Sequence, residues 1–214
     1  MEINWLGHAC FRLKGKDVVL ITDPYDKPVG YNLGRPQANI VTMSHDHHDH
    51  NNAAAIAGNP KLVKGPGEYE IKNVFIKGIT TFHDAEDGKA RGRNTAYTIS
   101  IDDVTVCHLG DLGHVLTQGQ AEELDGVDVL LVPVGGTYTI NAAQAAEVVS
   151  ILEPKIVIPM HFQTEVLTLG KTLDSVEKFL KEMGQPGVEV QPKLVVTRGS
   201  LPDETQVVVL DYKR

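Results

Sequence analysis

Six consecutive residues after the apolar run 40–43 carry imidazole or carboxylate side chains. They are His45, Asp46, His47, His48, Asp49 and His50. Zinc and other borderline divalent ions bind both groups readily. If the chain leaves the preceding strand extended, His45 and His47 point to the same side, because side chains two residues apart share a face. The segment is therefore either a solvated polar loop or part of a metal site.

Other ligand-type side chains follow apolar runs elsewhere in the chain. His83 comes after the run 74–79, Asp111 after the run 104–109, and His161 after the run 156–158. Ligand sites in α/β proteins assemble at the carboxyl ends of strands. The sequence thus predicts that these segments and the histidine-rich loop converge on one crevice.

The elements that must position these residues follow from hydrophobic patterning. Short β-branched runs predict strands at residues 18–22, 40–42, 74–79, 96–101, 104–109, 127–134 and 156–158. Asp102 and Asp103 predict a hairpin turn between two of them. Together with intervening helices, these strands predict an α/β layered architecture.

Capping signals predict the helices. The expected helices are residues 52–57 closed by Gly58, a helix after a Thr117-x-x-Gln120 capping box, residues 142–153 capped by Asn141, and residues 173–183 capped by Thr172. Each of the last two carries one apolar stripe, which predicts packing of that face on a sheet.

Length and composition predict one domain over residues 1–214, since 42% of the residues are hydrophobic and no linker interrupts the chain. The net charge of -8 provides no general attraction to nucleic acid or anionic membrane, so neither partner is expected. Cys10 and Cys107 lie in apolar stretches, which predicts buried thiols in a reducing compartment. Without a signal-peptide pattern, the expected location is cytoplasmic.

The ordered set His45-x-His47-x-Asp49-His50, His83, Asp111 and His161 resembles the full ligand signature of the metallo-β-lactamase superfamily. The segments WLGHACF at 5–11, TDP at 22–24 and HLGDLGH at 108–114 further resemble its branch of small stand-alone hydrolases. That branch includes L-ascorbate-6-phosphate lactonase and N-acylphosphatidylethanolamine phospholipase D. Because this chain is shorter and its loops are brief, neither activity is transferred to it.

The resemblance implies a four-layer αβ/βα sandwich with two divalent metal ions at its edge. The first ion would be held by His45, His47 and His83, the second by Asp49, His50 and His161, and both by a bridging Asp111. Zinc is the expected metal, while manganese or iron would also suit these ligands.

The chemistry implied by this resemblance is hydrolysis of a small ester, lactone or phosphodiester. Two close divalent ions lower the pKa of a shared water, so that a metal-bridged hydroxide exists near neutral pH and attacks the substrate. Asp49 would accept or shuttle the proton. The expected partner is a small-molecule substrate, and a homo-oligomer stays open.

Several further side chains have both a functional and a structural interpretation. His8 and His114 are candidate substrate contacts or proton donors, because the resembling branch carries both next to the metals. Tyr138 either offers its hydroxyl to a substrate oxyanion or packs as a loop aromatic residue. Arg93 and Asn94, after the flexible stretch 87–92, either bind an anionic group or are solvated.

The remaining polar residues around the motif are not expected to bind the metal themselves. Asp23 is expected to orient a ligand imidazole, and His108 to pack in the core or beside the ligands. Ser44 and His48 are expected to be dispensable, with His48 solvated at the spacer position of the motif.

Three other functions compete with hydrolysis of a small molecule. A sensor that binds metal or a ligand without turnover is compatible with the same residues. RNA or DNA processing is known among relatives with this motif, but the acidic balance and the lack of a basic insertion oppose it. A redox di-iron role would require a Glu where His47 stands and an attached flavin domain.

Overall fold

The computed structural model describes residues 1–212, so the last two residues of the predicted 1–214 domain lie outside the described part. Within it, the helices are α1 Gln118–Glu123, α2 Ala142–Leu152 and α3 Val176–Glu182. The strands are β1 Glu2–Gly7, β2 Cys10–Lys14, β3 Val19–Thr22, β4 Ile40–Met43, β5 Lys61–Lys64, β6 Gly67–Ile71, β7 Val74–Phe82, β8 Arg93–Ile101, β9 Val104–His108, β10 Val129–Pro133, β11 Ile156–Met160, β12 Val190–Gln191, β13 Leu194–Val195, β14 Gln206–Val207 and β15 Val209–Leu210.

Two mixed sheets contain nearly all of these strands. The six-stranded sheet has the order β13-β1-β2-β3-β4-β5, and the seven-stranded sheet has the order β14-β11-β10-β9-β8-β7-β6. In the second sheet β9, β10 and β11 are parallel, and β7 runs in their direction because two successive antiparallel pairings separate it from β9. The carboxyl ends of β7, β9 and β11 therefore lie at one edge.

The main hydrophobic core draws side chains from both sheets. Ile3, Phe11 and Leu20 of the first sheet share one buried cluster with Ile76 and Val106 of the second. Burying each such side chain contributes roughly 1.5–3 kcal/mol. The two sheets thus form the central layers of an α/β sandwich, which confirms the predicted fold class.

Helices and loops cover the outer faces of the sandwich. Ala145, Val148 and Val149 of α2 belong to the main core, as its apolar stripe predicts. On the other side, a second buried cluster places Ile21 and Val41 of the six-stranded sheet in the same group as Val29 and Leu167 from loops. Successive residues of one strand therefore enter different layers, as the pleat requires.

Most of the strands, turns and helix starts that were predicted from local sequence patterns are confirmed. All seven predicted strands are present, with β7 and β8 longer than predicted. Asp102 and Asp103 adopt positive φ angles of 51° and 63°, the type I′ geometry that suits a two-residue hairpin. Complete capping boxes begin α1 at Thr117 and α2 at Asn141. The patterning missed β1, β2, β5, β6 and the four two-residue strands β12 to β15.

Two helix predictions are wrong. Residues 52–57 form only a 3-10 turn at Ala53–Ala55, because the Asn52 side chain donates to the Tyr25 carbonyl and caps nothing. The third helix begins after Ser175 and not after Thr172. Backbone hydrogen bonds from Asp174 to Gly135 and from Gln163 to Asp174 hold the preceding residues outside the helix.

Both cysteines are free and fully buried, which confirms the predicted thiols. No helix within residues 1–212 has the length and apolar character needed to cross a bilayer.

We predict that Asn141→Ala lowers the free energy of unfolding by ~1 kcal/mol, because the Asn141 side chain accepts a hydrogen bond from the Gln144 N–H at the start of α2. Ser175→Ala is the matched control, since the Ser175 side chain makes no capping hydrogen bond at the start of α3. Urea unfolding of both variants measures the difference. Equal destabilisation of the two would contradict the capping role.

Candidate metal centre

Three imidazoles converge on the buried carboxylate of Asp111. Its Oδ2 atom lies 3.2 Å from His50 Nε2, 3.2 Å from His83 Nε2 and 3.3 Å from His161 Nε2. His50 follows β4, His83 follows β7 and His161 follows β11, while Asp111 comes three residues after β9. The structure thus brings together the four segments that the sequence predicts to meet.

His45, His47 and His83 form the first of two ligand groups. One ring nitrogen from each lies within 4.8 Å of the others. His45 Nε2 is 3.1 Å from His47 Nδ1, and the His83 ring centroid is 4.8 Å from that of His45. His45 and His83 are buried whereas His47 is exposed, so this group opens to solvent on one side.

The second group combines His50 and His161 with His8, again within 4.8 Å of one another. Asp49, the predicted ligand, lies beside them: its Oδ2 atom is 3.2 Å from His8 Nε2 and 3.6 Å from His50 Nε2. His8 is fully buried, with its ring centroid 4.2 Å from that of His161. A buried His8 has no surface with which to touch a substrate, so the geometry makes it a partner of Asp49.

Charges at the centre oppose the cost of burial. Burial resists ionisation of Asp111, but the charges of His161 and His50 outweigh it and hold the Asp111 pKa well below its ordinary value. Burial alone would lower the pKa of His50, yet the neighbouring carboxylates, Asp111 foremost, raise it well above its ordinary value. Burial also lowers the pKa of His45 to about 3, which keeps that imidazole neutral.

Two buried atoms test whether a cation fits the centre. Within residues 1–212, His50 Nε2 and Asp111 Oδ1 are among the buried side-chain atoms without a hydrogen-bond partner. His50 Nε2 lies 3.2 Å from Asp111 Oδ2, but the two atoms are not aligned for a hydrogen bond. Buried polar atoms are normally satisfied, and a cation between them would satisfy both. The residues therefore fit a metal centre.

Asp23 and Ser44 fix the orientation of two of the imidazoles. Asp23 Oδ2 accepts a hydrogen bond from His50 Nδ1 at 2.9 Å, the arrangement predicted for an orienting carboxylate. Ser44 donates to Asp23 through its hydroxyl and its backbone N–H, and its Oγ lies 2.9 Å from His45 Nδ1. The prediction that Ser44 is dispensable is therefore wrong.

His48 and His108 lie where the sequence predicts. The His48 side chain is 68% exposed, and its Nδ1 atom pairs with Asp26 at 3.0 Å, away from the converging imidazoles. His108 is fully buried, and its Nε2 atom donates to the Ala9 carbonyl at 2.8 Å. Both rings belong to neither ligand group.

The geometry does not support the predicted proton-donor role of His114. Its Nδ1 atom lies 2.8 Å from the Val115 carbonyl, and its Nε2 atom accepts the Phe82 N–H at 3.2 Å. Backbone groups thus occupy both ring nitrogens. The ring connects the end of β7 to the loop after β9, which is a structural function.

The predicted anion site at residues 93–94 is not formed. Asn94 is buried; its amide group donates to Leu109 O and accepts the Asp111 N–H at 3.0 Å, so that it fixes the turn of Asp111. Arg93 is exposed on β8. Arg91, in the stretch predicted to be flexible, is the arginine that lines the cleft.

An open cleft of about 390 Å³ lies above the centre. Its lining includes His47, Asp49, His83, Asp111, Arg91 and Tyr138. The predicted placement of Tyr138 near the site is thus observed.

Comparison with known proteins assigns the family. Residues 2–161, well over half of the chain, match the Beta-lactamase superfamily domain. The chain belongs to the metallo-β-lactamase superfamily. A Pyrococcus horikoshii relative named UPF0173 metal-dependent hydrolase is 31% identical, covering 77% of this chain and 85% of its own length. This member therefore falls in a group of metal-dependent hydrolases.

Solved structures agree with this family assignment. A candidate Zn-dependent hydrolase of the metallo-β-lactamase superfamily from Thermotoga maritima superimposes with a TM-score of 0.81, at 39% identity over 99% of both chains. Human tRNase Z, short form, superimposes with a TM-score of 0.58 at 12% identity, covering 80% of this chain and 97% of its own. The second similarity shows the fold alone.

The backbone of this superfamily member is strained around the centre. His8, Asp23 and His161 adopt left-handed φ angles of 55°, 37° and 53°. Such conformations cost about 1–3 kcal/mol each in non-glycine residues. A hydrogen bond from His161 N to His8 O and the close approach of Gly135 hold the turn at His161 in place.

We predict that Gly135→Ala displaces His161 and destabilises the fold by about 1–3 kcal/mol, because the new Cβ would lie 2.1 Å from the His161 carbonyl oxygen. Thermal unfolding and the ring proton resonances of His161 measure the two effects. Gly119→Ala in α1 is the control, since its Cβ would meet nothing within 4 Å. A Gly135→Ala protein as stable as the control variant would show that the close approach is unimportant.

Proposed function

We propose that this superfamily member is a dinuclear hydrolase that cleaves a small ester, lactone or phosphodiester. The observation that carries the proposal is the convergence of His50, His83 and His161 on the Asp111 carboxylate, with unsatisfied buried atoms at its centre. Imidazole and carboxylate ligands favour zinc, and they would also accept manganese or iron.

Two sets of side chains would hold the ions. His45, His47 and His83 would hold the first ion, Asp49, His50 and His161 the second, and Asp111 would contact both. When bound, a pair of divalent ions supplies Lewis acidity that lowers the pKa of water and polarises a carbonyl or phosphoryl oxygen.

The chain's own residues would prepare this chemistry. Asp49 lines the cleft and would accept or shuttle a proton. The hydrogen bond from His8 and the charge of His50 outweigh burial and lower the pKa of Asp49, which keeps its carboxylate ionised. Asp23 and Ser44 would hold the rings of His50 and His45 in fixed orientations. Fixed ligands need no rearrangement during the reaction.

The cleft favours a small substrate. Its volume of about 390 Å³ lies at the low end of the range for small-molecule sites. The net charge of -8 disfavours nucleic acid as the substrate, which opposes the RNA-processing alternative. We also propose a cytoplasmic location, because buried free thiols suit a reducing compartment.

We predict about two metal ions per chain in untagged protein, and the loss of at least one in Asp111→Asn, because an amide cannot carry the charge that faces both ions. Hydrolysis of bis(p-nitrophenyl) phosphate and p-nitrophenyl acetate should fall at least ~100-fold in the variant. Elemental analysis and absorbance assays measure the two quantities.

Asp46→Asn is the control for that experiment, because Asp46 lies in the same loop but pairs with exposed Lys64. It should keep both its metal and its activity. If the protein contains no metal even after zinc, manganese or iron is supplied, the proposed dinuclear centre is wrong. Full metal content without turnover on esters, lactones or phosphodiesters would favour a sensor instead.

We predict that Asp23→Asn weakens metal affinity about 10- to 100-fold, because His50 loses the charged acceptor that orients its ring. Competition with a zinc-binding dye measures the dissociation constant. Asp26→Asn is the control, since Asp26 pairs with His48 outside the centre. Equal affinities in the two variants would mean that Asp23 does not tune the ligand.

A further inference from the structure

The segment that follows His83 is held by a single carboxylate. Asp84 Oδ1 accepts the N–H groups of Glu86 and Gly88, both at 2.8 Å, and Oδ2 accepts those of Ala90 at 3.0 Å and Arg91 at 2.7 Å. Burial opposes ionisation, but these bonds outweigh it and lower the Asp84 pKa to about 2. Charge-assisted bonds of this kind fix a loop more firmly than neutral ones.

The fixed loop places the Arg91 guanidinium at the cleft. Its carbon Cζ lies 5.4 Å from the centroid of the Tyr138 ring, and its Nη2 atom donates to the Thr137 carbonyl at 3.2 Å. The aromatic face and the carbonyl restrain the plane of the guanidinium from two directions. Arg91 is thereby held in position although its side chain is exposed.

The guanidinium of Arg91 is not engaged in an ion pair within the described part of the chain. Among residues 1–212, no carboxylate lies within ion-pair distance of its guanidinium. It is also the only lysine or arginine among the described residues that line the cleft. A guanidinium has five N–H donors, of which Thr137 takes one, so donors remain for a ligand.

We propose that Arg91 binds an oxyanion of the substrate, so that this cleft selects small esters, lactones or phosphodiesters that carry a carboxylate or phosphate group next to the bond cleaved. This inference rests on the proposed hydrolase function for its reaction, but the anion site itself does not. His83 and Arg91 line the same cleft from one short segment, which places the bound anion beside the reactive centre.

The contact would act through geometry as well as charge. A planar guanidinium donates two parallel hydrogen bonds to a carboxylate or phosphate, which an ammonium group cannot do. Arg91→Lys should therefore keep the charge but lose part of the affinity. Asp84 would be a positioning residue, because it acts only through the loop that carries Arg91.

The first test measures binding without turnover. Isothermal titration calorimetry of metal-loaded protein with inorganic phosphate, and separately with succinate, should show affinity about 10- to 100-fold weaker in Arg91→Ala for the preferred anion. Arg93→Ala is the matched control, because Arg93 is exposed on β8 outside the cleft, and it should bind as the wild type does. Weaker binding of phosphate alone, or of succinate alone, identifies which group the site takes.

The second test measures selectivity. The ratio of kcat/KM for mono-p-nitrophenyl succinate to that for neutral p-nitrophenyl acetate should fall about 10-fold or more in Arg91→Ala, mainly through KM, and stay unchanged in Arg93→Ala. Unchanged binding of both anions in Arg91→Ala, or equal losses on both esters, would overturn the proposal.

The two proposals fail in different ways. Arg91-dependent anion binding without any ester turnover would retain the anion site and reject the hydrolase. If the protein hydrolyses esters, but anion binding and ester selectivity do not depend on Arg91, the hydrolase proposal stands and the anion site is rejected.

Discussion

The buried carboxylate of Asp111 is the group on which the rest of the site depends. Taking an ionised carboxylate out of water costs several kcal/mol unless charges or hydrogen bonds compensate it. Here His50, His83 and His161 reach it from three separate segments. The fold must therefore bring distant parts of the chain to one point, and the sandwich of two sheets does so by aligning the strand ends.

Hydrogen bonds from buried residues fix one half of the centre, and the other half is open to solvent. Asp23 and Ser44 hold imidazoles from the six-stranded sheet, while Asn94 holds the turn at Asp111 in the other sheet. On the open half, His47 is exposed, and Arg91 is restrained by a loop instead of a strand. The positions of the imidazoles are thus set by buried residues, while the exposed residues line the cleft.

The backbone strain at His8, Asp23 and His161 fits this division. Each residue turns the chain sharply at the end of a strand, and each is fully or almost fully buried. A core that spans both sheets supplies enough stability to offset such conformations. The strained turns then point side chains into the centre that a relaxed turn would direct elsewhere.

The sequence by itself determined what local forces control. The seven strands, the two-residue turn at Asp102–Asp103 and the capping boxes at Thr117 and Asn141 were predictable, because each depends on near neighbours in the chain. The residues of the centre were also predictable as a set, since each follows an apolar strand and carries an imidazole or carboxylate.

Only the tertiary structure decided the contacts between segments. Residues 52–57 do not form the predicted helix, because the Asn52 side chain donates a hydrogen bond to the Tyr25 carbonyl. The helix predicted to begin after Thr172 begins after Ser175, because the Asp174 N–H donates to the Gly135 carbonyl. Ser44 becomes a link between Asp23 and His45, and Arg91 reaches the cleft in place of Arg93. These outcomes depend on which atoms of distant segments lie within hydrogen-bond distance, and spacing along one chain does not encode that.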